Sequence, residues 1–329
     1  MASSSSSIPC TIYFFFIFLS NFASATLRVG FYRSSCSDAE AIIKSVVNQA
    51  ISHNPGVAAG LIRMHFHDCF VRGCDGSVLL KSTPKNQAER DHPANFPSLR
   101  GFEVIDEAKA QLEAICPNTV SCADILAFAA RDTAYRVGAI NYTVPAGRRD
   151  GRISIKQEAS TLPTPSSNAD QLIKSFANKG LSAAEMVTLS GAHSIGVAHC
   201  PAFSNRLYSF NATHPQDPSM DPSYAEYLKT KCAPPNGGGR SEQPAVALEF
   251  FSRNRLDNWY YVELKNRRGV LSSDQTLLSS SSTKKMVMDN ARYGSKWATN
   301  FGNAMVKMGS IDVLTGSQGE IRRHCSFVN

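Results

Sequence analysis

The chain has 329 residues, 43% of them hydrophobic and 19% charged, with 34 basic against 27 acidic side chains and a net charge of +7. That length suits one large domain or two intimately packed halves. The basic excess is scattered (Arg148-Arg149, Arg267-Arg268, Lys284-Lys285, Arg322-Arg323), with no basic helix and no interleaved aromatics. It therefore argues against nucleic-acid binding, and for solubility or attraction to a polyanionic matrix.

Residues 1–25 fall outside the expected fold. A Ser-rich start leads into the apolar run Ile12 to Leu19, followed by Ala23-Ser24-Ala25, the small-x-small pattern of a signal-peptidase site. The run is too short to span a bilayer. The mature chain, about residues 26–329, has eight cysteines once Cys10 leaves: Cys36, Cys69, Cys74, Cys116, Cys122, Cys200, Cys232 and Cys325. An even set in an exported chain argues for four disulfides and leaves their connectivity open. Asn141-Tyr-Thr and Asn211-Ala-Thr are glycosylation acceptors by pattern.

From there the periodicity is helical. Ser37-Asp-Ala-Glu40 reads as a capping box ahead of Ile42, Ile43, Val46, Val47, Ala50 and Ile51 on one stripe. Pro55 and Gly56 end that segment and lead into a helix carrying Arg63 and His67. It should break from Asp68 onward, because Asp68, Gly73, Asp75, Gly76 and Ser77 are poor interior residues. Residues 82–99 read as a long loop, and residues 101–115 and 121–137 as amphipathic helices. Residues 144–160 look irregular, and Leu162-Pro163-Thr164-Pro165 extended. Residues 169–178 form a short helix, and Ser182-Ala-Ala-Glu185 caps another that runs to His193, with Gly191 and Gly196 close by. Residues 234–239 and 279–282 read as loops, 271–274 as a turn, and 294–307 as the last helix. The expectation is a mostly α chain with little sheet.

Residues 63–77, RMHFHDCFVRGCDGS, gather most of the chemistry. Arg63 and His67 share a helix face, a fixed cation beside a base, which suits proton transfer with stabilisation of negative charge. Asp68, Asp75 and Ser77 are hard oxygen donors that backbone carbonyls could complete into a calcium shell, with Cys69 and Cys74 bracketing the turn. Taken alone, an Arg–His face is more often plain surface, and Asp-Gly turns are common without metal. His65 and His67 could ligate zinc, but positions i and i+2 of a helix face different ways.

With RMHFHDCF, GCDGS, LSGAH, SDQ and the closing GEIRRHC all present in order, the chain resembles the secretory plant haem peroxidases (class III) from Val29 to its end. The resemblance implies two helical domains sandwiching a haem b, with four disulfides. It makes His193 the proximal ligand of the haem iron, with Asp274 accepting the other ring proton. On the opposite face it makes His67 the acid–base catalyst, taking a proton from hydrogen peroxide and returning it to the leaving oxygen. Asn95 would accept the Nδ1 proton of His67, with Glu89 farther along that network. Arg63 would stabilise charge on the departing oxygen, Phe66 would wall the pocket, and the backbone at Pro163 would contact phenolic donors.

By the same resemblance the disulfides are Cys36–Cys116, Cys69–Cys74, Cys122–Cys325 and Cys200–Cys232. One calcium site comprises Asp68, the carbonyls of Val71 and Gly73, Asp75 and Ser77, with Glu89 grouped alongside. A second would use Ser194, Glu249, Ser252 and Asp257. There the chain departs from the family: Glu249 stands where Asp is usual, Arg253 stands where Pro is common, and Arg255 adds a cation nearby. Occupancy of that second site stays open.

Three functions compete. A secreted haem peroxidase oxidising phenols is expected, because every catalytic position is intact. A catalytically silent haem- or calcium-binding wall protein is the alternative. A zinc hydrolase built on His65, His67 and Asp68 comes last, since those side chains should not converge. The chain stops four residues after Cys325, so an extracellular or wall location is expected. A monomer with no membrane span is expected as well.

Overall fold

A computed structural model describes residues 26–234 and 244–329. The export segment 1–25, and all of the loop read at 234–239 except Pro234, lie outside the described residues. Four helices form the first half: α1 (Ala39–His53), α2 (Val57–Val71), α3 (Phe102–Ile115) and α4 (Cys122–Gly138), with α4 packed against the other three. α4 is the natural centre, because it buries Ile125, Leu126 and Phe128 together with a run of alanines that lets neighbours approach. Burying each large apolar side chain contributes about 1.5–3 kcal/mol.

The second half continues with α5 (Ala169–Ala177), α6 (Ala183–Ser190), α7 (Ser204–Tyr208), α8 (Pro222–Lys231), α9 (Trp259–Lys265), α10 (Ser272–Gln275), α11 (Ser281–Arg292) and α12 (Gly294–Met308). α6 lies against α5, α11 and α12, and α11 against α9. One continuous apolar core joins the halves, from Ile43 and Leu126 through Phe176 to Trp297 and Met305. A smaller core of Phe203, Leu207, Leu228 and Val246 lies beside the two-stranded antiparallel sheet of β1 (Val197–His199) and β2 (Ala245–Ala247). Mostly α with little sheet is therefore the architecture.

Four local expectations change. The Ser37 capping box is absent: Asp38 precedes α1 without a side-chain cap, and the entering turn supplies the bonds instead, through Cys36 N to Tyr32 O and Ala39 N to Cys36 O. α2 does not break at Asp68 but runs to Val71. The Asp68 carboxylate accepts from the amides of Gly76 and Val78 beyond the helix, so it does not compete for the helix's own backbone. Within residues 279–282, Ser280 is the cap position and Ser281-Ser282 the first turn of α11, which buries Thr283 and Val287. α8 went unread, although Asp221 accepts from Tyr224 N and Pro222 takes the first helical position, a start signal present in the sequence.

The four disulfides are Cys36–Cys116, Cys69–Cys74, Cys122–Cys325 and Cys200–Cys232, the pairs the resemblance implies. Cys122–Cys325 closes 203 residues, which by chain entropy is worth about 5 kcal/mol, against about 2 for the five-residue Cys69–Cys74 loop. The long bridge returns the C-terminal segment to the first half. There Cys74 N donates to Ile311 O at 3.0 Å and buried Arg322 donates to Gly76 O at 2.6 Å.

Candidate active site

Four residues apart on α2, Arg63 and His67 touch: Arg63 Nε donates to His67 Nε2 at 3.1 Å. The guanidinium also donates to Ser98 Oγ at 3.0 Å and to Ala94 O at 2.7 Å, which fixes it against the loop after residue 89. That loop brings Asn95 Oδ1 to 2.5 Å from His67 Nδ1. An amide oxygen only accepts and a guanidinium only donates, so both contacts select one tautomer, with the proton on Nδ1 and the lone pair on Nε2. Burial, reinforced by the Arg63 charge, pulls His67 down to about 3 against the Asn95 hydrogen bond, which leaves it neutral near pH 7. Burial lowers Arg63 to about 10, so it remains a cation there. Glu89 joins this network through its main chain: Asn95 Nδ2 donates to Glu89 O at 2.7 Å, and the carboxylate is not part of it.

In the second half, α6 gives way to a single turn, Gly191–Ser194. Gly191 is required there, because a Cβ would stand 2.7 Å from both the Trp297 ring and the Tyr261 hydroxyl. His193 Nδ1 lies 2.7 Å from Asp274 Oδ1, and Tyr260 Oη donates to the same oxygen at 2.9 Å. Burial by itself would lower His193, but the Asp274 charge and hydrogen bond outweigh it and raise the pKa, with Arg63 opposing from the other half. His193 is surrounded by protein, yet 40% of its side chain is uncovered, against 3% for Asp274. With Nδ1 committed to Asp274, the open part of the ring is free to meet a ligand. Phe66, half-buried, packs on Phe70 and on Phe176 of α5, at 4.3 and 6.1 Å between ring centres. A separate cavity of about 320 Å³, lined by Arg90, Arg100, Phe102 and Glu103, contains neither histidine.

Past α2, Asp68, Ser77 and Glu89 are wholly buried and Asp75 nearly so. Gly73 has φ +91°, and a Cβ there would meet Asp312 O at 2.5 Å, so the turn needs glycine. Asp68 accepts from Gly76 N at 3.0 Å, and Asp75 from Ser77 N at 2.9 Å. No hydrogen bond of good geometry reaches Ser77 Oγ or either Glu89 carboxylate oxygen, although the Ser77 and Ser154 hydroxyls stand close to that carboxylate. Burial raises Asp68 and Asp75, and carries Glu89 up to about 8 although the Ser77 and Ser154 hydroxyls partly oppose it. Val71 O accepts from Lys179 Nζ at 3.1 Å. Among the described residues no three His, Cys, Asp or Glu side chains converge as a metal cluster. The zinc reading lacks its centre, and His65 instead lies 3.7 Å from Cys69 Sγ.

Ser194, Glu249, Ser252 and Asp257 are brought together in the second half. Ser252 Oγ lies 2.9 Å from Glu249 Oε2 and 3.1 Å from Asp257 Oδ1, and Asp257 N donates to Ser194 Oγ at 3.2 Å. Pro163 is half-buried in an extended stretch, which Ser273 N ties to α10 through Pro165 O at 2.9 Å. Asn141 and Asn211 are exposed.

A family model described as Peroxidase matches residues 43–293. The chain belongs to the peroxidase family. It is 55% identical over 315 residues to Peroxidase 5 of Vitis vinifera, covering 95% of each chain. It is 47% identical to Peroxidase 1 of Zea mays (93% of this chain, 84% of the relative) and 46% identical to Peroxidase 39 of Arabidopsis thaliana (94% and 95%). The chain is thus a peroxidase enzyme of the plant haem type, a family that uses haem, hydrogen peroxide and a reducing substrate. Among the described residues no helix is long and apolar enough to cross a membrane. Sequence reasoning missed Tyr260, the second donor to Asp274 Oδ1, because Tyr260 and Tyr261 are both buried and nothing in the sequence tells which hydroxyl reaches Asp274 and which the α6 carbonyls.

Proposed function

We propose that this peroxidase reduces hydrogen peroxide while oxidising phenolic donors by one-electron steps, with His67 as acid–base catalyst and His193 as the residue that would hold the iron of haem b. What carries the reading is the pair of environments around two histidines. One is held neutral between Asn95 and Arg63; the other is held against a carboxylate with its ring partly open. That donor set fits haem: a deep imidazole with an anchored Nδ1 and an uncovered face, and Phe66 at the wall.

Haem held there would supply redox chemistry, two electrons for the reduction of peroxide that the donors replace one at a time. Asp274 on Nδ1 makes His193 a stronger donor to it. His67 accepts the proton of the near peroxide oxygen at Nε2. It returns that proton to the far oxygen, which leaves as water. Arg63 occupies Nε2 at 3.1 Å, so it must give up this contact before the proton can move. Its charge then serves the departing oxygen. Asn95 keeps the tautomer fixed throughout. Two phenols each lose one electron and one proton to complete the cycle, and the extended backbone at Pro163, tied to the α10 segment that bears Asp274, supports their docking there.

A calcium ion held by Asp68, the Val71 and Gly73 carbonyls, Asp75 and Ser77, with Glu89 behind, belongs to the same reading. The unbonded Ser77 and Glu89 oxygens in a fully buried loop support it. Asp68 follows His67 directly, so the ion would hold the catalytic end of α2. Export of residues 1–25, glycans on Asn141 and Asn211, and a monomer outside the cell or in the wall complete the proposal; four disulfides favour an oxidising compartment. The basic excess suits a polyanionic matrix.

The test is the absorption spectrum of the purified enzyme before and after one equivalent of hydrogen peroxide. A haem band that shifts at once, and is restored by a phenol, is expected. A haem band that ignores peroxide would leave a silent binding protein.

A further inference from the structure

The two loops that resemble calcium sites differ in what their oxygens already hold. In loop 249–257, Glu249 Oε2 accepts from Ser252 N at 2.5 Å and from Ser252 Oγ at 2.9 Å, while Oε1 accepts from Phe251 N. Asp257 Oδ1 accepts from Trp259 N at 2.9 Å and is within 3.1 Å of Ser252 Oγ. Its Oδ2 lies 3.8 Å from Arg255 Nε. Ser194 Oγ takes the amide of Asp257. Every carboxylate oxygen expected to face an ion thus has a protein donor or cation beside it. The extra methylene of glutamate carries the carboxylate onto amides two and three residues ahead.

Charge follows the same division. Glu249 and Asp257 share their nine-residue loop with Arg253 and Arg255; the neighbouring buried acid Glu263 has Arg268 at 3.9 Å, too far for a hydrogen bond, so its carboxylate is compensated by charge alone. Arg255 is 77% exposed, so it contributes little as a bond; it acts by opposing a second positive charge at Asp257. Loop 68–77 also has amides on Asp68 and on Asp75 Oδ1, and Lys179 Nζ on Val71 O, but its serine hydroxyl and the acid behind it differ. Asp68, Asp75 and Glu89 are buried together, and no hydrogen bond of good geometry reaches Ser77 Oγ or either Glu89 oxygen, the Ser77 and Ser154 hydroxyls standing close by. Arg322 meets this loop only at the main-chain carbonyls of Asp75 and Gly76, besides Cys325 O, and Arg72 pairs with Glu158 at 2.6 Å.

We propose that this chain binds a single calcium ion, in loop 68–77, and that loop 249–257 closes on its own amides, hydroxyls and arginine without one. The proposal rests on the peroxidase reading above for the identity of the two ligand sets. Its consequence is an asymmetric enzyme. The His67 half depends on calcium, whereas Ser194, and with it His193, is held by protein hydrogen bonds alone.

The experiment is elemental calcium analysis of the haem-loaded enzyme after dialysis in calcium-free buffer, repeated on Glu249→Gln and Asp75→Asn. The expected result is one calcium per haem in the wild type, one in Glu249→Gln and less than a tenth in Asp75→Asn. Two ions per haem in the wild type, none, or loss of the ion in Glu249→Gln would each overturn the proposal. Should Asp75→Asn fail to fold, calorimetric titration of calcium into the chelator-stripped wild type decides instead, with one binding event expected and two overturning it. Haem content and peroxide turnover of the same samples separate the two claims. An active haem enzyme with two calcium ions sinks this inference alone, whereas a protein without haem sinks the reading beneath it.

Discussion

His67 and His193 each commit Nδ1 to an oxygen, Asn95 Oδ1 at 2.5 Å in the first half and Asp274 Oδ1 at 2.7 Å in the second. The consequences run in opposite directions. Burial and the Arg63 cation bring His67 down to about 3, whereas the Asp274 carboxylate overcomes burial and raises His193. A neutral amide oxygen orients a ring without charging it, so His67 keeps a lone pair for an incoming proton. A carboxylate both orients and enriches the ring, which suits permanent donation to a metal. One residue type thereby becomes base or ligand through its partner, not through its own chemistry.

The comparison breaks most visibly at His67. His67→Ala removes the only proton acceptor proposed on that side, so the peroxide step should slow by at least ~10²–10⁴-fold while the haem band persists. Stopped-flow absorbance measures this, and an unchanged rate would transfer the role elsewhere. Asp274→Asn would make the His193 environment resemble that of His67. Haem affinity or turnover should drop about 10–100-fold, as for other partners of metal-bound histidines, and haem transfer to a scavenger protein reads the loss. If retention were unaffected, the carboxylate would not be what distinguishes the two halves.

The smallest effect sharpens the contrast instead of breaking it. Tyr260→Phe deletes one of two hydrogen bonds on Asp274 Oδ1, a net change of about 0.5–1.5 kcal/mol, or at most about tenfold in haem retention. It should leave the peroxide rate untouched, since Tyr260 contacts only the His193 side. A slowed peroxide step with normal retention would show that the halves are not separable in this way.

Legibility in the sequence tracked locality. The capping box at Ser182 appears as read, because each of its bonds spans three residues. The same logic failed at Ser37, where the preceding disulfide-anchored turn already served the helix start. It failed again at Asp68, where amides beyond the helix took the carboxylate. Arg63 and His67 were readable as a pair from helical spacing. Their third and fourth partners, Ala94 and Ser98, were not, because a loop 31 and 35 residues away supplies them. Glu89 reached its expected network through a carbonyl, a distinction that residue identity cannot carry.

By itself, then, the sequence determined the even cysteine set and, through backbone periodicity and local bonding, most of the helices and the one-face placement of Arg63 and His67. Tertiary structure alone decided the tautomer of His67, the doubly bonded carboxylate behind His193 and the self-satisfied loop at Glu249. The first two depend on contacts across 28 and 81 residues, positioned by the packing of α2 against its following loop and of the Gly191–Ser194 turn against α10. The third depends on which way a side chain one methylene longer turns, a choice made only when the donors of its folded loop are in place.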